Sequence, residues 1–168
     1  ITAGTELNCS ETDGFAYCFT SSNEAFLTNG VYYSTFTGTE KDYPLGAFSI
    51  FTGDRHVVAG VAASLDTLFV SQAGNYVNFT SGANIEDPWT EVIGGSGDAV
   101  KALAQVGGVT VVFKAFSIVG AQLVDQFNTN IYSISKNIGM ADPRAYVVHQ
   151  GLLYFKGSDN NLYATSGA

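Results

Sequence analysis

Two histidines, two cysteines and a scatter of aspartates are the residues of this 168-residue chain that could carry chemistry. His56 follows Asp54 and Arg55 at the head of an apolar run, and His149 lies in the stretch YVVHQ. Each reads as a strand histidine, exposed or satisfied, and not as half of a catalytic pair. Gly95-Ser96-Gly97 looks like a nucleophile elbow but lacks the strand-to-helix context that makes such a serine reactive. Asp13, Asp54, Asp98 and Asp142 each stand at a turn before a strand, where an aspartate bonding its own backbone explains them. Two carboxylates for glycoside hydrolysis would have to meet across the mouth of the fold, and the sequence nominates no pair. Glu86-Asp87 and Asp159 lack the closely spaced oxygens of a calcium loop. The glycines at 94–97 are not followed by the Gly-Lys-Ser/Thr of a phosphate loop. Cys9 and Cys18 are too far from either histidine to suggest zinc. They fit a disulfide clipping a hairpin, or a free pair in a reducing compartment. The expectation is no catalytic residue, no cofactor and no metal.

Two features could still bind. Trp89, the one tryptophan, follows Pro88 in an expected link between strands. An exposed indole there would stack on a sugar or a partner, while a buried one would plug a gap between sheets; the second reading is favoured. The stretch FKGSDNNLYAT at 155–165 resembles a phrase of propeller lectins, whose sugar sites lie between blades. That resemblance implies hydrogen bonds from Asp159, Asn160 and Asn161 and a stacking face from Tyr163. Those lectins usually carry tryptophan where Tyr163 stands. A tight hairpin wants Asp and Asn for its own reasons, since both tolerate positive φ.

The elements that would hold these residues are strands. The composition is 46% hydrophobic and only 13% charged, with polarity supplied by Thr, Ser, Asn and Gly. Helical surfaces would instead be dominated by Glu, Lys, Arg and Ala. No apolar run approaches the ~20 residues that span a bilayer. The net charge of −8, with scattered bases, argues against direct nucleic-acid binding.

Four stretches repeat one another: 17–30, 68–83, 109–121 and 154–167, each read as a hairpin with Thr-x-Gly or a glycine near its end. The last three are about 42 residues apart on this reading. The first gap is longer, with an insertion placed at 38–44. Further strands are expected at 31–36, 57–62, 100–105, 131–134 and 146–149, with 57–64 and 100–108 innermost. Residues 98–105 could start a helix, but Val-Gly-Gly-Val after them favours a strand. About four short antiparallel strands per repeat predict an all-β chain of β-propeller-like blades, in about four repeats that form an incomplete ring. A β-sandwich is the alternative. The organisation expected is a first segment at 1–53, holding the first repeat and the insertion, and three repeats at 54–168, in one continuous domain.

Over 54–168 the chain resembles the tail hub or nozzle (tail-stabilisation) proteins of short-tailed bacteriophages. The phrases that carry this are Ser71, Gly74, Asn75, Tyr76, Asn78 and Phe79; Asp87-Pro88; the hairpin at 111–118; Ile138-Gly139; and the hairpin at 153–163. Family members are longer, and the first sixty residues match them poorly. The resemblance implies a non-catalytic virion component whose partners are copies of itself in a ring and neighbouring tail or portal proteins. A sugar-binding propeller lectin and a secreted or cell-surface fibre or pilus subunit are the rival readings. Asn8 and Asn78 fit the glycosylation acceptor pattern, which chance also supplies in so Asn- and Thr-rich a chain.

Overall fold

A computed structural model describes residues 7–20, 24–36, 42–94 and 97–167. Four antiparallel meanders follow one another along the chain. The first comprises β1 (Leu7–Thr12), β2 (Phe15–Thr20), β3 (Ala25–Thr28) and β4 (Tyr33–Phe36). The second comprises β5 (Phe48–Thr52), β6 (Arg55–Ala59), β7 (Thr67–Val70) and β8 (Trp89–Val92). The third comprises β9 (Val100–Val106), β10 (Val109–Lys114), β11 (Ile118–Leu123) and β12 (Thr129–Ser135). The fourth has three strands, β13 (Tyr146–His149), β14 (Leu152–Lys156) and β15 (Leu162–Thr165).

The first turn of each sheet is a two-residue hairpin. Asp13-Gly14, Gly107-Gly108 and Gln150-Gly151 have positive φ at both positions, the backbone that matches the right-handed twist of the strands it joins. This turn fixes register. With Asp13-Gly14 at the tip, Cys9 falls opposite Cys18, and the two form a disulfide with Cα atoms 4.1 Å apart. The pairing left open by the sequence is therefore closed. Replacing both cysteines by alanine is expected to cost about 2–3 kcal/mol, read as a shift in the urea midpoint at constant slope.

Each sheet packs on the next in sequence. β1 touches β5, β5 touches β9, and β9 touches β13 and β14. Ser10 Oγ lies 2.7 Å from Ser49 Oγ, and the Tyr146 hydroxyl donates to the Leu103 carbonyl at 2.9 Å. A cavity of about 60 Å³ is lined by the starting ends of all four first strands, through Asn8, Phe48, Ser49, Leu103 and Tyr146. The first strands thus run in one sense around a common axis. The first turn of every sheet, and the third turn of each four-stranded one, lie at one end, called here the lower end. The second turns and the links between sheets lie at the upper end.

Alternation supplies the core, because each strand faces a different neighbour on its two sides. On β6, Val57 packs towards the third sheet while Val58 packs towards the first. On β10, Val112 faces the second sheet, and Val111 and Phe113 face the fourth. On β14, Leu153 and Phe155 face the third. Each such side chain contributes about 1.5–3 kcal/mol. Two sheets pressed face to face, the sandwich alternative, are not what forms.

Four expectations need correction. Residues 68–83 are not a hairpin: β7 ends at Val70, and 71–88 fold as an insertion before β8. The turn formers there bond among themselves, Gln72 N–H to Asn78 O and Asn75 N–H to Gln72 O, so no second strand pairs locally. The long repeat is accordingly the second, with an insertion at 71–88; residues 38–41 of the insertion expected at 38–44 lie outside the described residues. The stretch 57–64 is not innermost, because β5 precedes it and occupies that place. Last, a division at 53/54 would cut the β5–β6 turn, within one sheet.

Candidate functional site

The first and second sheets enclose an aromatic box. β2 supplies Tyr17 and Phe19, β5 supplies Phe51, β6 supplies His56, and the link before β5 supplies Tyr43. The insertion adds Tyr76 and Phe79. All these rings lie 4.5–6.3 Å from the His56 ring, Phe51 being stacked on it at 4.5 Å, apart from Tyr76, which contacts Tyr17 and Phe51. His56 is wholly buried. Its Nδ1 lies 3.1 Å from the Tyr76 carbonyl, while Nε2 has no partner among the described residues. Burial lowers its pKa to about 4, against a smaller opposing effect of the Tyr76 carbonyl. Burial likewise pushes the Tyr43 phenol up. A neutral imidazole sealed by rings reaches no substrate, so this box is packing. The surface or satisfied histidine expected here is neither.

Arg55 is the second buried polar group, on the other side of β6. Its guanidinium Nη1 donates to the carbonyls of Ser71 (2.8 Å), Glu86 (3.2 Å) and Asp87 (3.3 Å), and Nη2 to Ile85 (2.7 Å). Both ends of the insertion are thereby tied to one side chain. The same guanidinium lies 4.7 Å above the Trp89 ring. Burial lowers the Arg55 pKa, opposed by the charges of Asp54, Asp125, Glu86 and Asp87. Trp89 itself is on β8 and buried between the second and third sheets. It fills the gap between sheets, the favoured of the two readings of the sequence, and is not the exposed contact of the other, because Pro88 delivers it into a strand that faces inward.

At the upper end of the fourth sheet, the turn between β14 and β15 brings Asp159, Asn160, Asn161 and Tyr163 together. Asn160 takes the left-handed conformation, with φ +68°. The Asp159 carboxylate accepts from the Tyr163 hydroxyl (2.6 Å), the Asn161 amide side chain (2.8 Å) and the Asn161 backbone N–H (3.1 Å). The Tyr163 hydrogen bond lowers the Asp159 pKa and raises that of Tyr163. Tyr163 stacks on Phe155 at 5.5 Å. The Asp159 carboxylate and the Tyr163 hydroxyl are thus engaged within the turn, while the Asn160 side chain is exposed.

Two of the turn aspartates, Asp98 and Asp142, accept hydrogen bonds. Asp98 accepts from Phe116 N–H (3.0 Å) and the Ser117 hydroxyl (2.6 Å), and Asp142 accepts from Arg144 N–H (2.9 Å). His149 is exposed on the fourth sheet. Gly95 and Ser96 lie outside the described residues. Among the described residues no three His, Cys, Asp or Glu side chains gather as metal ligands. Sequence reasoning missed Arg55 and the box around His56. The signal present was the charged pair Arg55-His56 running directly into Val57-Val58 with no polar spacer.

No family model matches the chain, and no curated protein matches it in sequence. In structure it is similar to BamB from Moraxella catarrhalis, with a TM-score of 0.53 and 12% identity over 99% of this chain and 48% of that one. The fold is that of β-propeller blades. Each meander is one blade, and the chain spans about half the length of the BamB chain that it matches. A chain of YCF48 bound to D1 peptide is similar at a TM-score of 0.38 and 8% identity, covering 96% of this chain and 64% of that one, and carries no argument. At these identities the likeness concerns fold alone.

Proposed function

We propose that the chain is a non-catalytic propeller module of a phage tail hub or nozzle, acting as a stiff wall on which further blades or subunits dock around the genome channel. The observation that carries the docking is the outer face of the fourth blade. Leu153 and Phe155 of β14 are buried against the third blade, but the alternate residues Leu152 and Tyr154 are exposed, as are Val147 of β13 and Leu162 of β15. Val147 stands opposite Tyr154 in the register. On the second and third blades both alternate sets are buried between neighbours. An apolar sheet face of this kind wants another sheet. The tail assignment is supported by the phrases over 54–168 that resemble that family. Two of its residues have structural work here: Ser71 Oγ accepts from the His56 N–H at 2.9 Å, and Phe79 fills the aromatic box.

Light scattering on the purified chain is the test. Higher oligomers or capture by a short-tailed phage tail ring are expected, and Tyr154→Lys with Leu162→Lys should reduce both about tenfold or more. A compact monomer that ignores tail rings and binds a glycan saturably would replace this reading with the lectin one.

A further inference from the structure

The lower end of the propeller repeats one device in three successive blades. In each, the turn between the third and fourth strands holds apolar side chains out in water. Blade one presents Val31 (98% exposed) and Tyr32, blade two presents Ile85 (60%), and blade three presents Val124 (66%) and Phe127 (69%). Isolated exposed apolar residues are ordinary; the same loop carrying them in three neighbouring blades is not.

Each loop is rigid. Asn29 Oδ1 accepts from the backbone N–H groups of Val31 (3.0 Å) and Tyr32 (2.7 Å). Asp125 Oδ1 accepts from Phe127 N–H (2.8 Å) and Asn128 N–H (2.9 Å). The insertion is held by Arg55 on its Ile85, Glu86 and Asp87 carbonyls, and by Asp87 Oδ2 accepting from Asn84 N–H (2.9 Å). Blades two and three are continuous here, since the Gln126 side-chain amide donates to the Asn84 carbonyl at 2.6 Å. Such loops present their side chains at little entropic cost, as binding anchors require.

Acidic side chains occur at both ends, but the basic ones do not. Glu11, Asp13, Asp54, Glu86, Asp87 and Asp125 all belong to lower-end turns or the strand end beside them. Arg55 is the one lysine or arginine there among the described residues, and it is buried. Lys101, Lys114, Lys136, Arg144 and Lys156 lie at the upper end, by their places at the starts and ends of β9, β10, β12, β13 and β14. The lower end therefore combines hydrogen-bonded apolar tips with an excess of carboxylates over its one buried guanidinium.

We infer that this end is a docking surface for a basic protein segment, one that alternates lysine or arginine with large apolar side chains. The apolar residues would sit on Ile85, Val124 and Phe127, and the cations would meet Glu86, Asp87 and Asp125. Opposite charge steers approach and excludes acidic partners, while the apolar anchors set the lifetime. This inference is independent of the assembly to which the propeller belongs.

Fluorescence anisotropy with two labelled peptides tests it, one alternating Lys and Leu and one alternating Glu and Leu. The Lys-Leu peptide is expected to bind, more weakly as salt rises, and the Glu-Leu peptide is not. The triple change Ile85→Ser, Val124→Ser and Phe127→Ser should weaken binding about tenfold or more at an unchanged melting temperature. Glu86→Lys alone should weaken it and flatten the salt dependence. The upper-end changes Leu65→Ser and Phe116→Ser should leave it unaltered. No binding, equal binding of both peptides, or loss with the upper-end changes instead would overturn the inference.

Discussion

Arg55→Leu is expected to destabilise the chain by about 3–4 kcal/mol. Leucine fills much of the space and is compatible with a strand, so packing alone would forecast little. What is lost is a guanidinium that satisfies four carbonyls at 2.7–3.3 Å and lies over the Trp89 ring. Hydrogen bonds from a charged donor contribute about 1.5–3 kcal/mol each where the acceptor is otherwise dry, and the buried Ser71 carbonyl is such an acceptor. The carbonyls of Ile85 and Glu86 are nearer the surface and regain water, which keeps the total below the sum of four. Cation–π contact adds about 0.5–2 kcal/mol.

Arg55→Lys separates charge from geometry. An ammonium keeps the charge but offers a point in place of a fork, so it cannot bridge Ser71 and Ile85 at once. It should recover about half of the loss. Hydrogen exchange locates the effect: the amides of Ala73, Gly74 and Asp87, which bond Glu86, Asp54 and Asn84 carbonyls, should open sooner in Arg55→Leu. Those of β10 and β11 should not. A loss below about 1 kcal/mol, or uniform acceleration across the blades, would contradict the role given to Arg55.

What the sequence made legible was local. The hairpins at 109–121 and 153–165, and the strand at 100–106, are apolar enough to declare themselves. The turn between β14 and β15 stands where the pattern puts it, and the one between β10 and β11 falls at 115–117. The second blade was misread because its outer strands are separated by 71–88, and the stretch SQAGNYVNFTSGA imitates the hairpin phrases of its neighbours while folding as turns. β1 and β8 were missed since LNCSET and WTEV carry little hydrophobic pattern of their own; they are strands because their neighbours pair with them. A better frame lay in the two-residue turns Asp13-Gly14, Gly53-Asp54, Gly107-Gly108 and Gln150-Gly151, which mark the first hairpin of each blade. Centring the first of these also places Cys9 against Cys18. The candidate sites were less legible than the fold. That Asp159 would spend its oxygens on Asn161 and Tyr163, or that Arg55 would sit beneath an insertion, depends on where distant chain returns.

Between pH 6.5 and 4 the chain is expected to lose about 3 kcal/mol of stability through His56 alone. The folded imidazole is neutral and titrates at about 4, because burial among aromatic rings disfavours the cation. In the unfolded chain the same group takes a proton near 6.5. Within that window the unfolded state binds a proton that the folded state refuses, so stability falls by about 1.4 kcal/mol for each pH unit. Above 6.5 both states are neutral and the contribution is constant; below 4 both are protonated and the loss is complete. Among the described residues no carboxylate faces the ring to offset this: its neighbours are Tyr17, Phe19, Tyr43, Phe51 and Phe79, with the Tyr76 carbonyl on Nδ1. His56→Leu removes the titrating group, so its stability should decline less steeply between pH 6.5 and 4, while the carboxylates titrate alike in both chains. Urea midpoints across that range give the difference directly, and parallel curves would refute the assignment. Where the proton finally enters, it charges the imidazole between the first two blades, with no acceptor at Nε2 among the described residues. The first and second blades should therefore part before the second and third, whose shared core of aliphatic side chains and Trp89 holds no histidine.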